Sequence, residues 1–94
     1  MDATRQAIYE CIQAAFKAAG LNAITSTAQV INWASIDEEV QTQIAISIRR
    51  CVKQKLSKDP GDLVGVILVA AKQEPAMPVS DLIEIIYQMV EQAY

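Results

Sequence analysis

A chain of 94 residues has room for one domain and one core, with no need of disulfides or a bound metal to hold it. Its 52% apolar content excludes disorder, and its longest unbroken apolar run, nine residues from Leu63 to Ala71, is about half of a membrane span, so a soluble protein with no membrane contact is expected. The net charge is −3 and histidine is absent, which removes Ser-His and Cys-His pairs, the commonest general base and the commonest metal ligand together.

Asp2 is placed to cap a first helix that runs to about Ala19. Ile8, Cys11, Ile12, Ala15, Phe16 and Ala19 recur along it at spacings of three and four. Gly20 supplies the left-handed residue that ends such a helix, and Leu21 can fold back as the apolar contact of a Schellman cap. The first residues lack the basic flank and continuous apolar stretch of a signal peptide, so a cytoplasmic location is expected.

Thr25-Ser26-Thr27 offers hydroxyls to cap a short second helix over Ala28–Ala34, presenting Val30, Ile31 and Trp33. Trp33, the only tryptophan, reads as a core anchor. Ser35 answered by Glu38 forms a capping box, which predicts a third and longest helix from Ile36. Ile36, Val40, Ile44, Ile48 and Val52 advance by four along one stripe with Cys51 beside them. Acidic Asp37, Glu38 and Glu39 stand at its positive end, and Arg49, Arg50, Lys53, Lys55 and Lys58 towards its negative end. Cys11 and Cys51 both fall on apolar helical faces, the usual place of reduced cysteines acting as small hydrophobes.

Asp59-Pro60-Gly61-Asp62 breaks this helix and starts another, with Pro60 suited to a first helical position and either aspartate able to cap. Leu63–Ala71 follows. Having no polar side chain, it is expected almost wholly inside, each of its large aliphatic side chains contributing roughly 1.5–3 kcal/mol on burial. Composition alone allows a buried strand here. The helix is preferred because Ala70-Ala71-Lys72-Gln73 continues in helix formers and no other segment reads as a strand partner. Gly65 within it predicts the close approach of a neighbouring helix. Prolines mark Glu74–Pro78 as a loop. Ser80 then caps a last helix from Asp81 to about Ala93, apolar at Leu82, Ile83, Ile85, Ile86, Met89 and Val90, with Tyr87 and Tyr94 at its edge.

The elements add up to an all-α single domain over residues 1–94, a compact antiparallel bundle of about five helices. Small death-fold-like adaptor domains share this size and helix count, an analogy of architecture that no motif here carries further.

Two surfaces are left over. Ile46 points away from the apolar stripe of its helix, among Arg49, Arg50 and Lys53, an aliphatic centre with an arginine-containing rim. Asp81, Glu84 and Glu91 line the polar side of the last helix. The expected function is therefore a non-enzymatic protein–protein interaction module, an adaptor, signalling or self-assembly domain. It would join its basic face to an acidic one on another copy, as a homo-oligomer, or on a helical partner. The alternative is a protein that binds or sequesters a nucleotide or other phosphate-bearing molecule, of the kind used in phage–host conflict. Arg49 and Arg50 would hold the phosphate, though no glycine-rich cradle accompanies them. Nucleic acid is disfavoured by a single short basic cluster without interleaved aromatics. No cofactor is expected, and Asp59–Asp62 lacks the ligand pattern of a calcium loop.

Overall fold

The computed structural model describes residues 1–93 of the chain; Tyr94, expected at the edge of the last helix, lies outside the described residues. Among the described residues four α-helices build a mostly helical single domain, completed by a short two-stranded sheet and one 3-10 turn. No helix among the described residues is long and apolar enough to cross a membrane.

Helix α1 spans Ala3–Ala18, and the Asp2 carboxylate accepts the Arg5 N–H at 2.8 Å as its N-cap. Gly20 has φ of 74°, the Gly20 N–H donates to the Lys17 carbonyl and the Leu21 N–H to that of Phe16. These two bonds are the Schellman arrangement expected there.

The second expected helix does not form. Val30–Asn32 is a strand, β1, and Trp33–Ser35 a 3-10 turn. The reason lies far along the chain. Strand β2, Ala76–Pro78, pairs antiparallel with β1, setting Val30 opposite Pro78, Ile31 opposite Met77 and Asn32 opposite Ala76. Pro75 and Pro78 bias the residues before them to extended backbone, and β-branched Val30 and Ile31 suit the partner strand. Ile31 and Met77 point inward and are buried. Ser26, expected to cap a helix, instead accepts the Ala28 N–H in a tight turn.

Beyond the strands the pairing fixes its neighbours. The Trp33 N–H donates to the Pro75 carbonyl, and the N–H groups of Val79 and Ser80 donate to the carbonyls of Gln29 and Thr27. Those last two are first-turn donors of α4, Val79–Glu91, which starts two residues earlier than expected with Pro78 as its N-cap, so that Ser80 lies inside the first turn and does not cap the helix.

Helix α2 spans Glu38–Leu56, two residues later than expected. The Ser35–Glu38 box is absent because the Ser35 hydroxyl donates to the Asn32 carbonyl and closes the 3-10 turn. Gln41 ties that turn to the helix. Its buried side-chain amide donates to the carbonyls of Trp33 and Ile36, at 3.0 and 2.9 Å. Downstream, Ile44, Ile48 and Val52 are buried as the stripe predicts.

Cys11 of α1 and Cys51 of α2 are joined by a disulfide, with their Cα atoms 5.6 Å apart. The expectation of reduced thiols is thus overturned. Both residues sit on the apolar faces read from the sequence, and these are the faces along which α1 packs on α2.

Helix α3, Leu63–Gln73, is a helix as expected, capped by the Asp62 carboxylate, which accepts the Gly65 N–H at 3.1 Å. Pro60 is buried just ahead of it rather than occupying its first position. Two expectations for this helix fail. It lies at the surface: only Leu63, Ile67 and Ala71 are buried, and Val69 is 54% exposed. The core centres instead on the seam between α1 and α2, plugged by Trp33, Ile31 and Met77. Gly65 also admits no neighbouring helix. A Cβ there would stand 2.7 Å from an oxygen of the Asp62 carboxylate, so the glycine makes room for the cap.

Candidate functional site

The outer face of α2 gathers four of the residues singled out from the sequence. Ile46 is 44% exposed, and Ile46, Arg49, Arg50 and Lys53, with Gln54, line one shallow depression of about 300 Å³. The four are not equivalent. Arg49 donates from Nε and Nη2 to both oxygens of Asp59, each at 2.9 Å, a bidentate pair across the turn that follows α2. That pairing holds the Asp59 carboxyl below its ordinary value, helped by the Gly61 N–H, and raises the Arg49 guanidinium. Lys53 stands 3.9 Å from the same carboxylate. Arg50 forms no ion pair among the described residues.

The acidic residues of α4 are dispersed by their partners. Glu84 accepts from Arg5 Nε at 2.6 Å and Nη2 at 3.0 Å, and the Arg5 guanidinium also pairs with Asp2 and lies 3.8 Å above the Tyr87 ring. Glu84 is therefore part of the α1–α4 contact and its carboxyl is held below its usual range, first by the Arg5 hydrogen bonds. Glu91 neighbours Tyr87 and raises its phenol. Asp81, exposed in the first turn of α4, lies within hydrogen-bonding reach of Glu74, the residue that ends α3. Hydrogen bonding to Asp81 raises the Glu74 carboxyl, and neither forms an ion pair among the described residues.

These carboxylates set a dependence on acid. Asp2, Glu10, Asp59 and Glu84 are all depressed in the fold, so they stabilise it fully above their ordinary values of 3.8 and 4.5 and lose that contribution as pH falls through the lower folded-state values. Glu74 acts in the opposite direction, since its raised value favours the fold as the carboxyl protonates. The melting temperature is expected to stay level down to about pH 5 and fall below about pH 4. A level profile from pH 5 to pH 2 would show that these four carboxylates, Glu10 through its pair with Lys55, do not contribute.

The sequence did not reveal a second feature. Helix α3 packs on α2 while α4 packs on α1, and the faces that α3 and α4 turn towards each other leave an open apolar cleft of about 500 Å³. Gly65, Val66, Val69, Ala70 and Gln73 form one wall and Ile85 the other. Asp81 stands one turn before Ile85 on the same face of α4. The signal available beforehand was that Leu63–Ala71 is apolar on every side, more than the remaining short elements of a small domain can cover.

No family of known proteins matches the sequence, and neither a curated relative nor a solved structure of similar fold was found.

Proposed function

We propose that this chain is a non-enzymatic protein–protein interaction module that recognises its partner through the outer face of α2, with Ile46 as apolar anchor and Arg50 as charged contact. The observation that supports this reading is an aliphatic side chain, 44% exposed, beside an arginine with no ion-pair partner among the described residues. Arginine is among the residues enriched at interface hot spots, and an aliphatic side chain seated in a pocket can serve as their apolar anchor. Arg49 belongs to the rim, because Asp59 already occupies its guanidinium.

The phosphate-binding alternative is the weaker reading. Asp59 brings a carboxylate into the middle of the basic cluster, where it would repel a phosphate and compete for Arg49 and Lys53. The disulfide weighs against the cytoplasmic location expected from the sequence, because cytosolic reductants keep thiols apart.

Photo-crosslinking tests the reading directly. With a benzophenone amino acid in place of Ile46, the chain expressed in its native cells is expected to give a discrete adduct on illumination. The adduct should disappear when Arg50→Glu is added and should not form from the exposed Ala14 of α1. No adduct from position 46 would end the proposal.

A further inference from the structure

We infer that the partner of the α2 face is a second copy of this chain, docked head to tail, with Ile46 of one copy entering the α3–α4 cleft of the next and Arg50 meeting Glu74 and Asp81. This inference rests on the interaction reading above and names its partner.

Each surface lacks what the other carries. The cleft is apolar along α3; Glu74 follows its last lining residue on that helix, Gln73, and Asp81 stands one turn before Ile85, and neither carboxylate forms an ion pair among the described residues. Two neighbouring carboxylates are relieved by a guanidinium set between them, and Glu74 lies near enough to Asp81 for a hydrogen bond to that carboxyl to raise its own. On α2 the exposed aliphatic is followed one turn later, on the same face, by an arginine that pairs with no carboxylate among the described residues.

The spacings also agree. Ile46 to Arg50 is one helical turn towards the C-terminus, and Ile85 to Asp81 is one turn towards the N-terminus. With α2 of one copy antiparallel to α4 of the next, isoleucine meets the apolar cleft and arginine meets the acidic end at once. Antiparallel packing of neighbouring helices is an ordinary geometry. Because anchor and cleft lie on different elements, the contact is heterologous: a copy that gives its anchor still offers its cleft. Assembly then proceeds to a closed ring or an open filament.

Light scattering across a concentration and salt series tests this with three proteins: the unaltered chain, an anchor variant Arg50→Glu, and a cleft variant Val69→Lys that places a cation against the incoming arginine. The unaltered chain is expected to rise above monomer mass with concentration and to fall back as salt screens the charges. Each variant alone should stay at monomer mass. Their equimolar mixture should reach twice that mass and no more, since one variant offers only a sound anchor and the other only a sound cleft. Thermal melts check that both variants fold, and Asp81→Lys serves as a second cleft variant should Val69→Lys fail to do so.

A chain that remains monomeric throughout overturns the second copy as partner. The α2 reading then stands or falls separately, on whether Ile46 crosslinks to a different protein. An oligomer that the mixture fails to rebuild as a dimer rules out the α3–α4 cleft as the receiving surface.

Discussion

Reducing the Cys11–Cys51 disulfide is expected to lower the stability of this domain by about 3–4 kcal/mol. The bridge spans a sequence separation of 40 residues, and closing a loop of that length removes conformational freedom chiefly from the unfolded chain. The folded side of the balance changes little, because Cys11 is buried and Cys51 is packed against the core, where two thiols remain acceptable small hydrophobes. For a domain of this size the loss amounts to a drop in melting temperature on the order of 15–30 °C. Thermal melts with and without reductant measure it, and the double variant Cys11→Ala/Cys51→Ala should reproduce the reduced value with a small further loss from packing. A midpoint indifferent to reductant would mean that α1 and α2 are held by their apolar seam alone.

Truncating Trp33 should cost a comparable amount. Its side chain is 1% exposed, and its ring meets Phe16 at a tilt of 57° with centroids 6.1 Å apart. It fills the space enclosed by the strand pair and the helices, so Trp33→Ala leaves a cavity that the surrounding backbone bonds do not let collapse. A loss of about 3–5 kcal/mol follows. Trp33→Phe separates packing from polarity. The buried indole Nε1–H has no hydrogen-bond partner among the described residues, a burden of roughly 1–3 kcal/mol that phenylalanine removes. The milder substitution should therefore cost at most about 1 kcal/mol, because relief of the orphaned donor offsets the lost ring. Urea titrations of the two variants decide this, and a loss for Trp33→Phe well above about 1 kcal/mol would mean that the indole N–H is satisfied in solution.

What could be read from the sequence was what neighbouring residues decide among themselves. Asp2, Gly20 with Leu21, and Asp62 act within a turn of their own position, and all three behave as their chemistry predicts. The stripe on α2 and the outward aim of Ile46 follow from helical period and were equally legible. Features requiring a distant partner were not. Val30–Asn32 carries no mark of Ala76–Pro78, so a helix was the better local reading, and Ser35 gave up a capping role to a carbonyl three residues before it. Cys11 and Cys51 could each be set on an apolar face, but nothing in either segment says that those faces meet. Burial of Leu63–Ala71 was overestimated for a related reason: hydrophobicity states what a segment would gain from cover, while the number of neighbouring elements decides whether cover exists.

The candidate surface divides along the same line. All seven charged and apolar positions picked from the sequence are exposed, on the two helices expected. Which of them are already engaged was invisible. Arg5 takes Glu84 from across the domain, and Asp59 takes Arg49 from beyond the turn. Arg50 and Asp81 remain, and the cleft beside Asp81 gives the pair a shape as well as a charge.

The strand pair and the disulfide together determine how the domain comes apart. The bridge closes the segment from residue 11 to residue 51, and the ladder closes that from residue 30 to residue 78, so the two loops overlap through β1, the 3-10 turn and most of α2. Neither half of the chain can open without releasing elements that belong to the other. Helix α4 lies outside both loops and can open alone, whereas α2, most of which both loops share, is expected to exchange its amide protons only when the whole domain opens.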